Sequence, residues 1–111
     1  MKITEQRQGA VVVLKPDGAL VDAECASAKS RLTEAVAGSL GRFVLDLSAV
    51  PFVDSRGLEV LVELTEELAK SGQSLRLCSV NKTVREVMDL TEVTHLFEHF
   101  EDANTAVRSF L

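Results

Sequence analysis

The apolar positions change period several times along the chain, and each change predicts an element. Lys2 to Arg7 alternates weakly around Ile3 and reads as an edge strand, with Gln8-Gly9 as a two-residue turn. Ala10 to Leu14 is a continuous apolar run, the pattern of a strand covered on both faces, and Lys15-Pro16-Asp17-Gly18 stops it. From Asp22 the period becomes helical: Cys25, Ala28, Leu32, Ala35 and Val36 share one face, and Gly38 and Gly41 end the helix. Phe43 to Leu47 is a second apolar strand. After Pro51 a helix runs from Ser55 to Ser71, with Leu58, Leu61, Leu64 and Leu68 as its buried stripe. Glu59, Glu63, Glu66, Glu67 and Lys70 face water, and Gly72 closes it. Leu75 to Val80 is a strand. Asn81 is an N-cap for a helix to Leu90 buried through Val84, Val87 and Met88. Leu96 to Phe100 is a short strand, and Asp102 caps a last helix with Ala103, Ala106, Val107 and Phe110 inward. The order β-β-α-β-α-β-α-β-α predicts an α/β fold: a mostly parallel sheet of four to five strands with an N-terminal antiparallel hairpin and about four helices.

Composition narrows the chemistry. The 111 residues suit one domain, and 46% hydrophobic with 26% charged residues is ordinary globular usage. At this size the folded surface is expected to be about 6,000 Å². There is no Trp or Tyr, and only five Phe to stack on bases, and the net charge of −5 comes with no basic cluster, so direct nucleic-acid binding is not expected. Cys25 and Cys78 are isolated, with no Cys-x-x-Cys and no His at ligand spacing. A metal-free, cofactor-free, reduced cytoplasmic chain is the expectation. Met1 to Gln8 has no apolar signal core, and no run approaches a membrane span. The acid is uneven, with ten of the seventeen acidic residues after Ser55.

One segment stands out. Val50-Pro51-Phe52-Val53-Asp54-Ser55-Arg56-Gly57-Leu58 ends a strand-to-helix loop and opens what is expected to be the longest helix. Ser55 lies at the helix start, where backbone N–H groups lack partners and the dipole's positive end faces outward, so a phosphate there is held by the backbone. Arg56 offers a counter-charge. Gly57 in the first turn costs about 1 kcal/mol of helix propensity against Ala, which points to a close approach by a neighbouring backbone or a partner. The plainer reading is that Asp54 or Ser55 simply caps the helix.

Two enzyme-like readings fail. A nucleophile elbow requires Gly-x-Ser-x-Gly, and Val53 stands at the first glycine position. His95 and His99 have no acid placed to orient either as a base. Asp46, near the end of its strand, lacks the neighbouring carboxylates of a phospho-receiver's Mg²⁺ cage and reads as a strand-end hydrogen-bonding group. The chain is expected not to be an enzyme. The like-charge pairs Glu59–Glu63 and Glu63–Glu67 are either a solubilising face or one reserved for a basic partner.

Val53 to Leu58, preceded by the strand Phe43-Val44-Leu45-Asp46-Leu47-Ser48, resembles the signature of STAS domains, and in particular the stand-alone bacterial anti-sigma-factor antagonists. Val12-Val13-Leu14 to Gly18-Ala19-Leu20, Val80 to Leu90, and Phe97 to Ala106 resemble flanking segments of the same family, so the likeness spans residues 1–111 as a single STAS domain. It implies a phosphorylatable switch. The unphosphorylated form binds an anti-sigma factor that is also a serine kinase of the histidine-kinase ATPase fold. Phosphorylation of Ser55 releases it, and a PPM-type serine phosphatase restores binding. The implied partner face comprises Asp22, Asp54, Ser55, Arg56, Gly57, Leu58, Glu59 and Asn81. The resemblance also admits a second wiring, as an adaptor subunit of a lipid-transport ATPase complex or a stress-sensing assembly that is never phosphorylated. Three positions depart from the family pattern. Val21 stands where many members carry Asp, with Asp22 one residue later. Arg56 stands where a small residue is common, and Glu92 where a glycine is.

Overall fold

The computed structural model describes all 111 residues. Five strands and four helices alternate: β1 (Lys2–Gln8), β2 (Val11–Asp17), α1 (Asp22–Gly38), β3 (Phe43–Asp46), α2 (Ser55–Ala69), β4 (Arg76–Cys78), α3 (Lys82–Leu90), β5 (Glu98–Phe100) and α4 (Ala103–Arg108). The strands lie side by side in chain order. β1 and β2 are antiparallel and all later pairs are parallel. Because the order never reverses, the three crossover helices fall on one face of the sheet. Their apolar stripes and the sheet residues beneath them form a core of 23 buried residues, among them Leu32, Phe43, Leu45, Leu61, Leu64, Leu77 and Met88.

The opposite face is covered by α4 alone. Val11, Val13, Val44, Cys78 and Ala106 are buried there, with Phe100, Ala103, Val107 and Phe110 around them. This second layer is why Val11 to Leu14 is apolar without alternation: both faces of β2 are covered. Arg76 fastens the layer, its guanidinium 3.8 Å from the Phe110 ring centroid and its Nε donating to Ser109 Oγ at 2.8 Å. The accessible surface is 5862 Å², close to that expected of a compact chain of this mass.

The structure corrects several local expectations. The hairpin turn is Gly9-Ala10, since Gln8 pairs with Val11 and Gly9 takes φ 63°. β2 does not stop at Leu14. It runs through Pro16, paired with Ile3 of β1, because the pairing with β3 ends at Leu14 and no later N–H is needed on that side. β3 ends at Asp46, β4 spans only Arg76–Cys78, and α2 ends at Ala69, so that α1 and not α2 is the longest helix. A 3₁₀ turn at Thr94–Leu96 takes the start of the predicted last strand. Asp46 does act as a strand-end acceptor, receiving the Ser48 N–H at 2.9 Å.

Candidate functional site

Three loops leave the carboxyl ends of β2, β3 and β4, and the first two are laced together by backbone. Gly18 N–H donates to Ala49 O at 3.0 Å, Leu20 N–H to Phe52 O at 3.0 Å, and Asp54 N–H to Leu20 O at 3.2 Å. Leu20 and Val53 form an isolated parallel bridge. Asn81 joins the third loop. Its Nδ2 donates to Val50 O and Pro51 O at 3.2 and 3.3 Å, while its Oδ1 accepts the Val84 N–H at 2.8 Å and so caps α3. One side chain therefore starts a helix and holds the loop in front of Ser55.

Asp54 is the N-cap of α2, which bears out the plainer reading of the motif's acid. Its Oδ1 accepts from Gly57 N–H and its Oδ2 from Asp22 N–H, both at 2.9 Å. Val21, the N-cap residue of α1, supplies no side-chain bond, so Asp54 serves the starts of both helices. These N–H donors, Gly57 foremost, hold the Asp54 carboxyl below its usual range. Gly57 is explained by packing: a Cβ there would overlap the Leu20 carbonyl oxygen and lie 2.8 Å from Val53 Cγ1. The close approach anticipated at this glycine is made by a neighbouring backbone.

Ser55 is the first residue of α2, exposed, one position past the cap. A groove of about 420 Å³ begins at it and is lined by Leu58, Glu59, Val62, Glu63 and Glu66 of α2 and by Thr91 and Val93 beyond α3. Arg56 leans along α2, its Nη1 2.8 Å from Glu59 Oε2 and 3.6 Å from Glu63 Oε1. Glu63 is half-buried rather than free in water. Lys29 of α1 holds its other oxygen at 2.6 Å and keeps its carboxyl below the usual range.

All eight residues singled out in the sequence belong to this corner or its continuation. Asp54, Gly57, Asn81 and the Asp22 N–H form its frame, with the Asp22 side chain exposed. Ser55, Leu58 and Glu59 line the groove, and Arg56 is ion-paired to its Glu59 and Glu63. Phe52 of the same segment, 44% exposed in the loop before Asp54, was not among the eight, nor were Thr91 and Val93 on the far wall. Phe52 was legible as an apolar residue in a Pro-led loop. The far wall was not, because it comes from a different element.

The corner thus combines a double cap, an exposed serine and a close-packed glycine. The sequence model of the family described as "STAS domain" matches residues 2–106. The chain belongs to the STAS domain family. Among its relatives, the anti-sigma-F factor antagonist RsfB of Mycobacterium tuberculosis is 32% identical over 111 residues, covering 96% of this chain and 88% of that protein. A crystal structure of a Thermotoga maritima protein described as an anti-sigma factor antagonist superposes with a TM-score of 0.88 at 23% identity, over 96% of this chain and 92% of that one. The phosphorylated form of Bacillus SpoIIAA shares the fold, with a TM-score of 0.71 at 15% identity over 99% of this chain and all of that one. No helix of this STAS chain is long and apolar enough to cross a membrane.

Proposed function

We propose that this STAS chain is an anti-sigma-factor antagonist switched by phosphorylation of Ser55. One observation carries the reading: Ser55 stands exposed at the first position of α2, while its neighbours on both sides are committed to structure, Asp54 as a double cap and Gly57 as a close-packing residue. A phosphate of about −1.5 to −2 charge at that position changes the surface without displacing anything the fold needs. It sits at a helix N-terminus, where its charge is favoured. The name of the M. tuberculosis relative supports the antagonist role. A fold shared with a phosphorylated SpoIIAA supports a switch that leaves the architecture intact.

In this reading the unphosphorylated chain binds an anti-sigma factor that is a serine kinase of the histidine-kinase ATPase fold. Asp22, Ser55, Arg56, Leu58 and Glu59 form the contact face, and Asp54, Gly57 and Asn81 hold that face in shape. A PPM-type phosphatase reverses the modification. The chain is the substrate of both enzymes and itself catalyses nothing.

The test is to mix the chain with ATP and the serine-kinase anti-sigma factor encoded in the same genome, followed by intact-mass measurement. One added phosphate is expected, absent from Ser55→Ala. Ser55→Asp is expected to bind the kinase at least tenfold more weakly than wild type. Stoichiometric phosphorylation of Ser55→Ala would sink the assignment. Co-purification with a transporter ATPase and no kinase would favour the adaptor wiring instead.

A further inference from the structure

Ser55, Glu59, Glu63 and Glu66 follow one another at helical spacings of four, four and three. All four line the same groove. A phosphate on Ser55 would therefore head a stripe of three carboxylates. Glu59, one turn on, is the nearest of them. The cation serving that stripe is Arg56, bonded to Glu59 at 2.8 Å with Glu63 at 3.6 Å. Glu63 keeps a second cation, Lys29 at 2.6 Å, whereas Glu59 has no other ion-pair partner.

We infer that Arg56 changes partners when Ser55 is phosphorylated, leaving Glu59 for the phosphate and uncovering the Glu59 carboxylate in the groove. The inference rests on Ser55 being the phosphorylated residue. Three physical reasons support the exchange. Glu59 is 62% exposed at its side chain, and an exposed carboxylate pair at i,i+3 is a weak competitor. A phosphate dianion offers a guanidinium two parallel charge-assisted bonds and more charge. The phosphate and Glu59 repel each other across one helical turn, so the cation between them moves to the stronger anion. Glu63, still held by Lys29, stays where it is. The modification then alters the docking face from Ser55 to Glu59, one turn of α2, and a partner that met a neutralised Glu59 meets a bare one. This gives the bulky cation at position 56 a role that a small residue there cannot fill.

The test uses full-length chain carrying phosphoserine at position 55 by encoded incorporation, so it does not depend on a kinase. The Glu59 carboxyl carbon signal at pH 7 is compared with and without the phosphate, in wild type and in Arg56→Gln. Partner exchange predicts that the signals of wild type and Arg56→Gln differ without the phosphate and coincide with it, since only wild type has a cation to lose. It also predicts that the phosphate's second ionisation, followed by phosphorus NMR, lies lower in wild type than in Arg56→Gln by a few tenths of a pH unit. A Glu59 signal in phosphorylated wild type that stays as far from that of Arg56→Gln as before phosphorylation overturns the exchange. Failure of the kinase to modify Ser55 is a separate outcome, and it counts against the switch rather than against the exchange.

Discussion

The carboxylate of Asp54 bonds the backbone N–H of Asp22, 32 residues away, at 2.9 Å. It does so with the oxygen that its own helix does not use, since the other accepts from Gly57. The loop after β2 and the loop after β3 therefore share one anion, and the starts of α1 and α2 are held as a unit beside Ser55.

That double cap has a pH signature. The folded carboxyl of Asp54 titrates below its ordinary value of 3.8, so its contribution is present in full above that value and is lost as pH falls through the lower folded one. Asp54→Asn keeps one acceptor for Gly57 and loses the charge. Its thermal midpoint should lie several degrees below wild type at pH 7, with the gap closing as pH falls below the ordinary carboxyl range. Thermal unfolding of the two proteins at a series of pH values checks this. A gap unchanged at low pH would mean the charge contributes nothing.

Gly57→Ala gains helix propensity but drives a methyl into the Leu20 carbonyl. Overpacking against backbone should prevail, with a net loss of about 1–3 kcal/mol in denaturant unfolding. Backbone amide shifts should concentrate at Leu20, Val53 and Asp54. A variant as stable as wild type would show that the loops yield freely.

Glu92 adopts φ 60° just past the C-cap of α3, the conformation in which glycine carries no steric penalty. Glu92→Gly relieves that strain, offset in part by greater unfolded-state freedom. A gain of roughly 0.5–1 kcal/mol is expected. The departure from the family's glycine is thus a stability cost, carried by the residue between Thr91 and Val93 of the groove's far wall.

Both cysteines are buried thiols rather than reactive ones. Burial raises Cys25 above its ordinary value and pushes Cys78, under α4, up to about 12. At pH 8 neither should react with a disulfide reagent in the folded chain, and both should react in guanidinium. Fast native labelling of Cys78 would mean that α4 opens readily, and Arg76→Ala, which removes the contacts to Ser109 and Phe110, should speed it.

The period of the apolar residues determined much of this protein. The five residues assigned to the buried face of α1 are the five found buried, and the leucine stripe of α2 is buried in full. Asn81 and Asp102 cap the helices they were expected to cap. These are local facts, fixed by spacing and by the chemistry of a short polar side chain beside free N–H groups. Segment ends were less legible, because where a strand stops depends on its neighbour's length. Pro16 continues β2 only because β3 no longer runs alongside. The sequence marked Gly57 as costly to its helix, but two candidates remained for what approaches it, and only the packing of the Leu20 backbone decided between them. The tertiary structure alone gave Asp54 a second helix, gave Glu63 to Lys29, and set Arg56 over the stripe that Ser55 heads. Each of these joins residues distant in the chain or chooses among several acceptors within reach, and no spacing rule encodes that choice.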